Sequence, residues 1–191
     1  MRTKPLFFAV MLVQALSSTP ALARGLYAEF GAGRSHASAD CAGTSRCDRN
    51  GAFVRGILGY EFTPNWALEV TLADLGRIQA TATVPGVGSV QASARMRSVG
   101  IGAAGTWPLN EAFSMTGRLG IASNKTSVGG SAVGVSVSDS ERKTVPYAGI
   151  ALNCALSKTT SVGLSVDRTE AGYAGEKLAV VVVGLGARFR F

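Results

Sequence analysis

The stretch Leu178-Ala-Val-Val-Val-Val-Gly-Leu-Gly-Ala-Arg-Phe-Arg-Phe191 decides how the chain is read. Ala179, Val181, Val183, Leu185, Ala187, Phe189 and Phe191 share one parity, and Gly184, Gly186, Arg188 and Arg190 share the other. Successive side chains of a strand point to opposite faces, so this pattern gives one apolar face and one that turns small and then basic. A β-sandwich could use such a strand against its core. An aromatic final residue, at a terminus that ordinarily frays, favours a lipid-facing apolar side instead.

Working outward, the N-terminus sets the compartment. Arg2 and Lys4 precede an apolar run from Pro5 to Val13, and Ala21-Leu-Ala23 supplies a small-x-small cleavage pattern. This reads as a secretory signal over residues 1–23, with the mature domain expected over 24–191. Cleavage would lower the formal charge from +7 to +5, because Arg2 and Lys4 leave with the signal. A basic excess can mark nucleic-acid binding, but export argues against that partner and leaves anionic lipid headgroups as the available counter-charge.

The longest apolar run in the mature region is the ten residues Leu178 to Ala187. That is far short of the roughly 18 residues a spanning helix needs, and it matches the roughly 9 to 11 of a tilted membrane strand. Because hydrocarbon offers no hydrogen bonds, strands that cross it must close into a barrel.

Seven other runs supply the remaining strands. They lie at Arg24 to Arg34, Gly51 to Phe62, Trp66 to about Gly76, Met96 to Trp107, Phe113 to about Asn124, about Thr144 to Leu156, and Thr160 to Thr169. Short turns are expected at 63–65, 108–110 and 157–159, each rich in Pro, Asn or Ser. Longer connections are expected at Ser35–Asn50, 78–94, 127–143 and 171–175. Val and Thr in 78–94 and 127–143 permit either loop or continued strand. Eight strands with alternating short and long connections define an all-β, eight-stranded antiparallel up-and-down transmembrane barrel. Tyr60, Phe62, Trp66, Trp107, Phe113, Phe189 and Phe191 all fall beside a short turn or the C-terminus, as an interfacial aromatic girdle requires.

The segments Gly59-Tyr-Glu-Phe-Thr-Pro-Asn-Trp66, Ala67-Leu-Glu-Val70 with Asp74-Leu-Gly76, Gly117-Arg-Leu-Gly120 and the Phe191 ending carry a family likeness. The chain resembles the OmpA-type and OmpX-like small outer-membrane β-barrels across nearly its whole mature length, without the periplasmic peptidoglycan-binding domain of OmpA itself. The resemblance implies a cell outer membrane location. It also implies that Phe189 and Phe191 form a signal read by the barrel-assembly machinery.

Inward parity collects Glu29, Arg55, Glu61, Glu69, Arg118, Asp167, Arg188 and Arg190, four acids and four bases. An eight-stranded interior is just wide enough for side chains to fill it, so these charges are expected to pair into a plug; a narrow conducting pore is the alternative. Cys41 and Cys47 lie in an exported loop and are expected to form a disulfide, with metal binding alongside His36 and Asp40 the weaker alternative. Cys154 is left over on the apolar parity, as an inert lipid-facing thiol.

His36 is the only histidine and has Ser35, Ser38 and Asp40 near it in sequence, which raises a lipid-A-modifying enzyme. A Ser/Gly-rich loop gives no rigid third group for a triad, so a solvated histidine and no catalytic, cofactor or metal site is the expectation. Arg34, Arg46, Arg49, Arg95 and Arg97 are expected at the outer rim, level with lipopolysaccharide phosphates. The leading function is a structural or surface role, displaying loops for envelope integrity or contact with a host or environmental ligand. A narrow porin-like channel is second and the enzyme third.

Overall fold

A computed structural model describes residues 25–38, 46–84, 88–132, 135–173 and 176–191. The strands in chain order are β1 (Leu26–Ala37), β2 (Arg46–Asp48), β3 (Asn50–Glu61), β4 (Trp66–Val84), β5 (Gly88–Pro108), β6 (Phe113–Ala132), β7 (Val135–Ala155), β8 (Thr160–Tyr173) and β9 (Glu176–Arg190). β1 and β3 to β9 form a closed antiparallel barrel of eight strands, and the three-residue β2 adds to the outer end of β4. Closure runs through β1 and β9, from Tyr27 opposite Arg190 to Ala37 opposite Val180.

The barrel is inverted relative to a soluble protein. Leu119 is 68% exposed while its neighbour Arg118 is 2% exposed. The outward positions Leu58, Leu68, Val70, Ile101, Ile121, Ile150, Leu164 and Leu185 continue that apolar band around the wall. In water such a surface would aggregate, and in hydrocarbon it is the solvated face.

Several strands run well past the band. β4 and β5 stay paired as far as Val84 opposite Gly88, and β6 and β7 as far as Ala132 opposite Val135. The segments at 78–94 and 127–143, for which sequence permitted loop or strand, are thus largely continued hairpins. The expected first loop is also shorter than residues 35–50: Ser35 to Ala37 belong to β1, and His36 sits opposite Asn50 of β3. Their alternation of exposed and buried side chains continues that of β1, which sequence composition alone concealed. The expected signal segment and Cys41 lie outside the described residues.

At the other end each short turn is held by one polar side chain that accepts two backbone N–H groups. Thr63 Oγ1 accepts from Asn65 (3.3 Å) and Trp66 (2.9 Å), Asn110 Oδ1 from Ala112 (2.9 Å) and Phe113 (2.8 Å), and Ser157 Oγ from Thr159 (3.2 Å) and Thr160 (3.0 Å). The final residue is tied in as well, since Phe191 N–H donates to the Leu26 carbonyl at 3.0 Å.

One irregularity re-aims a strand. Between Asp74 and Gly76 the register of β4 against β5 shifts, and Gly76 has φ of 91°. A Cβ there would lie 2.6 Å from the Ala52 carbonyl oxygen, so only glycine fits this bulge. Leu75 turns inward, its carbonyl accepts from Ser35 Oγ at 2.5 Å, and Arg77 and Gln79 come to face outward above it.

Candidate functional site

The interior is layered. Its middle is a charge network centred on Glu29, whose carboxylate meets three guanidinium groups: Arg55 Nη2 at 2.8 Å, Arg118 Nη2 at 2.6 Å and Arg188 Nη2 at 2.9 Å. Arg118 Nε also donates to Glu69 at 3.1 Å, and Arg55 Nη1 to Asp167 at 2.5 Å. Tyr27 donates its hydroxyl to Glu69, and Arg188 lies over the Tyr27 ring, 4.4 Å from its centroid. Three carboxylates thus offset three guanidiniums inside the lumen. Each would cost several kcal/mol buried alone.

Six of the eight charges read from inward parity therefore converge. Glu61 and Arg190 form a separate pair, at 3.1 Å, near the short-turn end, and both remain partly exposed. Below the network Asn153 donates to Thr116 (2.9 Å), which also bonds Thr106 (3.0 Å). Above it Asn124 donates to Thr169 at 3.1 Å.

Sequence reasoning missed two features of this interior. The first is an apolar layer above the charges, formed by Ala37, Phe53, Leu75, Ala171, Val180 and Val182. Its signal was present: within Val180 to Val183 both parities are apolar, so the inward face of the last strand is oily before it becomes small and basic. The second is the seating of the tyrosines. A Cβ on Gly59 would lie 2.1 Å from Tyr27 Cζ, and one on Gly102 would lie 2.4 Å from the Tyr147 hydroxyl, so these glycines are niches for inward rings.

Arg55 divides the remaining space. A cavity of about 50 Å³ lies on its outer side among Phe53, Leu75, Val182, Arg118 and Tyr147. One of about 10 Å³ lies on its other side among Glu29, Asn153, Ser161 and Arg188. Together with bonds to Glu29, Asp167 and Ser165 (3.1 Å), this makes Arg55 the central bar of the lumen.

Outside the barrel, Tyr60, Phe62, Trp66, Trp107, Phe113, Phe189 and Phe191 are all exposed at the short-turn end. Trp66 and Trp107 pack edge to face with centroids 6.0 Å apart, over Gly105, where a Cβ would lie 2.8 Å from the Trp107 ring. Cys154 lies on the outer wall opposite Val162 of β8 and is a free thiol. For the expected Cys41–Cys47 bridge, Cys41 and the side chain of Cys47 fall outside the described residues.

The possible catalytic pair is not assembled. Ser35 is buried and engaged with the Leu75 carbonyl, whereas His36 faces outward with Nδ1 at 3.0 Å from Asn50 Oδ1. Among the described residues no His, Cys, Asp and Glu side chains are grouped as metal ligands. At the outer rim, Arg95 Nε donates to Asp74 at 3.1 Å and Arg97 lies 3.8 Å from the same carboxylate.

Comparison with known proteins agrees with this architecture. Among solved structures, the attachment invasion locus protein Ail of Yersinia pestis is 21% identical, with 87% of this chain and 99% of Ail covered at a TM-score of 0.54. Neisserial surface protein A is 14% identical, with 87% and 97% covered at 0.62. OprG of Pseudomonas aeruginosa is 13% identical, with 88% and 97% covered at 0.54. No curated protein sequence matches the chain. The outer membrane protein β-barrel domain matches residues 6–191, and the chain belongs to that family of bacterial outer-membrane barrels.

Proposed function

We propose that the protein is a surface-display barrel, in which a plugged and rigid transmembrane wall holds paired polar hairpins outward for contact with a host or environmental ligand. The observation that carries this reading is the continued pairing of β4 with β5 and of β6 with β7 beyond the lipid-facing band. Paired strands hold their shape where a free loop would not, so these hairpins present a preorganised edge at low entropic cost. Ail, whose name describes attachment and invasion, shares the fold and has been solved with a heparin analogue.

The lipids around the wall, including outer-leaflet lipopolysaccharide, are its constant partners. Phe189 and Phe191 act earlier, as the strand end read by the assembly machinery. Catalysis is not part of this reading, because Ser35 and His36 turn to opposite sides of β1.

The test compares the intact barrel with one whose hairpins are shortened by joining residue 79 to 93 and 127 to 140 through two-residue turns. Intact protein should bind host cells or matrix and the shortened form should lose that binding, with its heat-sensitive gel mobility retained. Equal binding by both forms would place the contact elsewhere. A His36→Ala strain should leave lipid A masses unchanged, and an altered lipid A profile would restore the enzymatic reading.

A narrow channel is the second reading, favoured by the two cavities that meet at Arg55. Discrete conductance steps from the purified wild-type barrel in a planar bilayer would support it over a sealed lumen.

A further inference from the structure

On the outer wall of β5, β6 and β7, residues directly opposite one another form rows whose chemistry changes with height. Ile101, Ile121 and Pro146 make an apolar row. One step outward come Val99, Ser123 and Thr144, which adds hydroxyls. The next row is Arg97, Lys125 and Arg142, all three exposed and each directly opposite the next.

Like charges placed directly across strands destabilise a sheet. Here Asp74 engages Arg95 and approaches Arg97, while Lys125 and Arg142 have no ion pair with a described residue. Arg95 and Arg77 stand opposite each other one row further out, which strengthens the positive field above the same sector. On the far side of the barrel, one outward row across β9, β1 and β3 consists of Val183, Arg34 and Ala52. The β5 to β7 row is therefore the denser in cations, three against the single Arg34.

We propose that the Arg97–Lys125–Arg142 row is a docking site for a lipid whose headgroup carries two phosphates, supplied by the lipid A portion of outer-leaflet lipopolysaccharide. This deepens the lipid contact proposed above and rests on that reading. The order apolar, hydroxyl, cationic matches a lipid standing upright against the wall, with acyl chains on Ile101 and Ile121 and phosphates at the basic row. Neighbouring strands are about 4.8 Å apart, so the backbones that carry the three cations span about 10 Å, a width that two phosphates fill side by side. Arg97 and Arg142 at the ends can each take a phosphate bidentately, and Lys125 sits between as a point charge.

The mature barrel in detergent micelles is titrated with bisphosphorylated lipid A, monophosphorylated lipid A, pyrophosphate and a heparin oligosaccharide, with bound species counted by native mass spectrometry. Bisphosphorylated lipid A should bind best, and R97Q/K125Q/R142Q should weaken it about 100-fold, as the loss of three cations at a headgroup surface implies. A control variant, R34Q/R168Q, should bind as wild type, and gel mobility before and after boiling confirms that each variant is folded. Equal binding by the triple variant overturns the site, and equal binding of monophosphorylated lipid A overturns the two-phosphate assignment. Tighter binding of pyrophosphate or heparin than of lipid overturns the lipid assignment. None of these outcomes alters the hairpin-shortening result, because residues 97, 125 and 142 remain in the shortened barrel.

Discussion

Arg118 and Glu29 are 89 positions apart in sequence and meet at 2.6 Å across the lumen, linking the β6 wall to the β1 wall. Arg118 also holds Glu69 of β4, so one guanidinium ties three sectors of the barrel together. Replacing it leaves two buried carboxylates short of a partner. Arg118→Met should therefore cost about 3 to 5 kcal/mol, the usual effect of breaking a buried ion pair from one side. The loss is readable as a lower urea midpoint for the folded band on a gel. Glu29→Gln with Arg118→Met should recover part of it, and a fully additive double variant would show that the pair is not coupled.

The tyrosine niches predict a steric effect with little electrostatic content. A Cβ at Gly59 would overlap the Tyr27 ring at 2.1 Å. Gly59→Ala should destabilise the barrel by about 1 to 3 kcal/mol, the range for overpacking a filled interior. Tyr27→Phe leaves the clash in place, whereas Tyr27→Ala vacates the niche. Rescue of Gly59→Ala by Tyr27→Ala and not by Tyr27→Phe would confirm that the ring, and not its hydroxyl, needs the glycine.

These two cases show why the sequence was legible in some respects only. The outward alternation of residues such as Leu68, Val70 and Leu72 follows directly from strand geometry, so strand number, topology and girdle could be read from period-two patterning. The inward charges could be assigned by the same parity. Which of them meet depends on register and barrel tilt, so parity grouped Glu61 and Arg190 with six charges that lie deeper. The bulge at Asp74 and Gly76 escaped because a single inserted residue leaves no compositional trace, yet it turns Arg77 outward. The apolar layer at Phe53, Leu75 and Val182 escaped for another reason: a lumen was expected to be polar, and Val180 to Val183 was read for its outward face alone.

The lipid-facing band predicts a depth-dependent cost. Leu119 lies within it, one row below Ile121 on β6, and is 68% exposed. Leu119→Arg should cost about 2 to 4 kcal/mol in a bilayer, the value for a cation near the midplane, whereas Thr144→Arg, beside the basic row, should cost about 0 to 1 kcal/mol. Equilibrium folding into vesicles measures both. Equal costs would mean that the rows on β5 to β7 do not sit at different depths.

The cysteines allow a prediction that separates wall from loop. Cys154 is a free thiol on the outer wall, while Cys41 and Cys47 are proposed to be bridged in an oxidising compartment. In vesicles, a lipid-soluble maleimide should label Cys154 faster than a charged, impermeant one, because the thiol sits on the apolar outer wall opposite Phe113 of the girdle, where an apolar reagent concentrates. After unfolding without reductant, one thiol per chain should react, and reductant should expose the other two. Three reactive thiols before reduction would remove the proposed bridge.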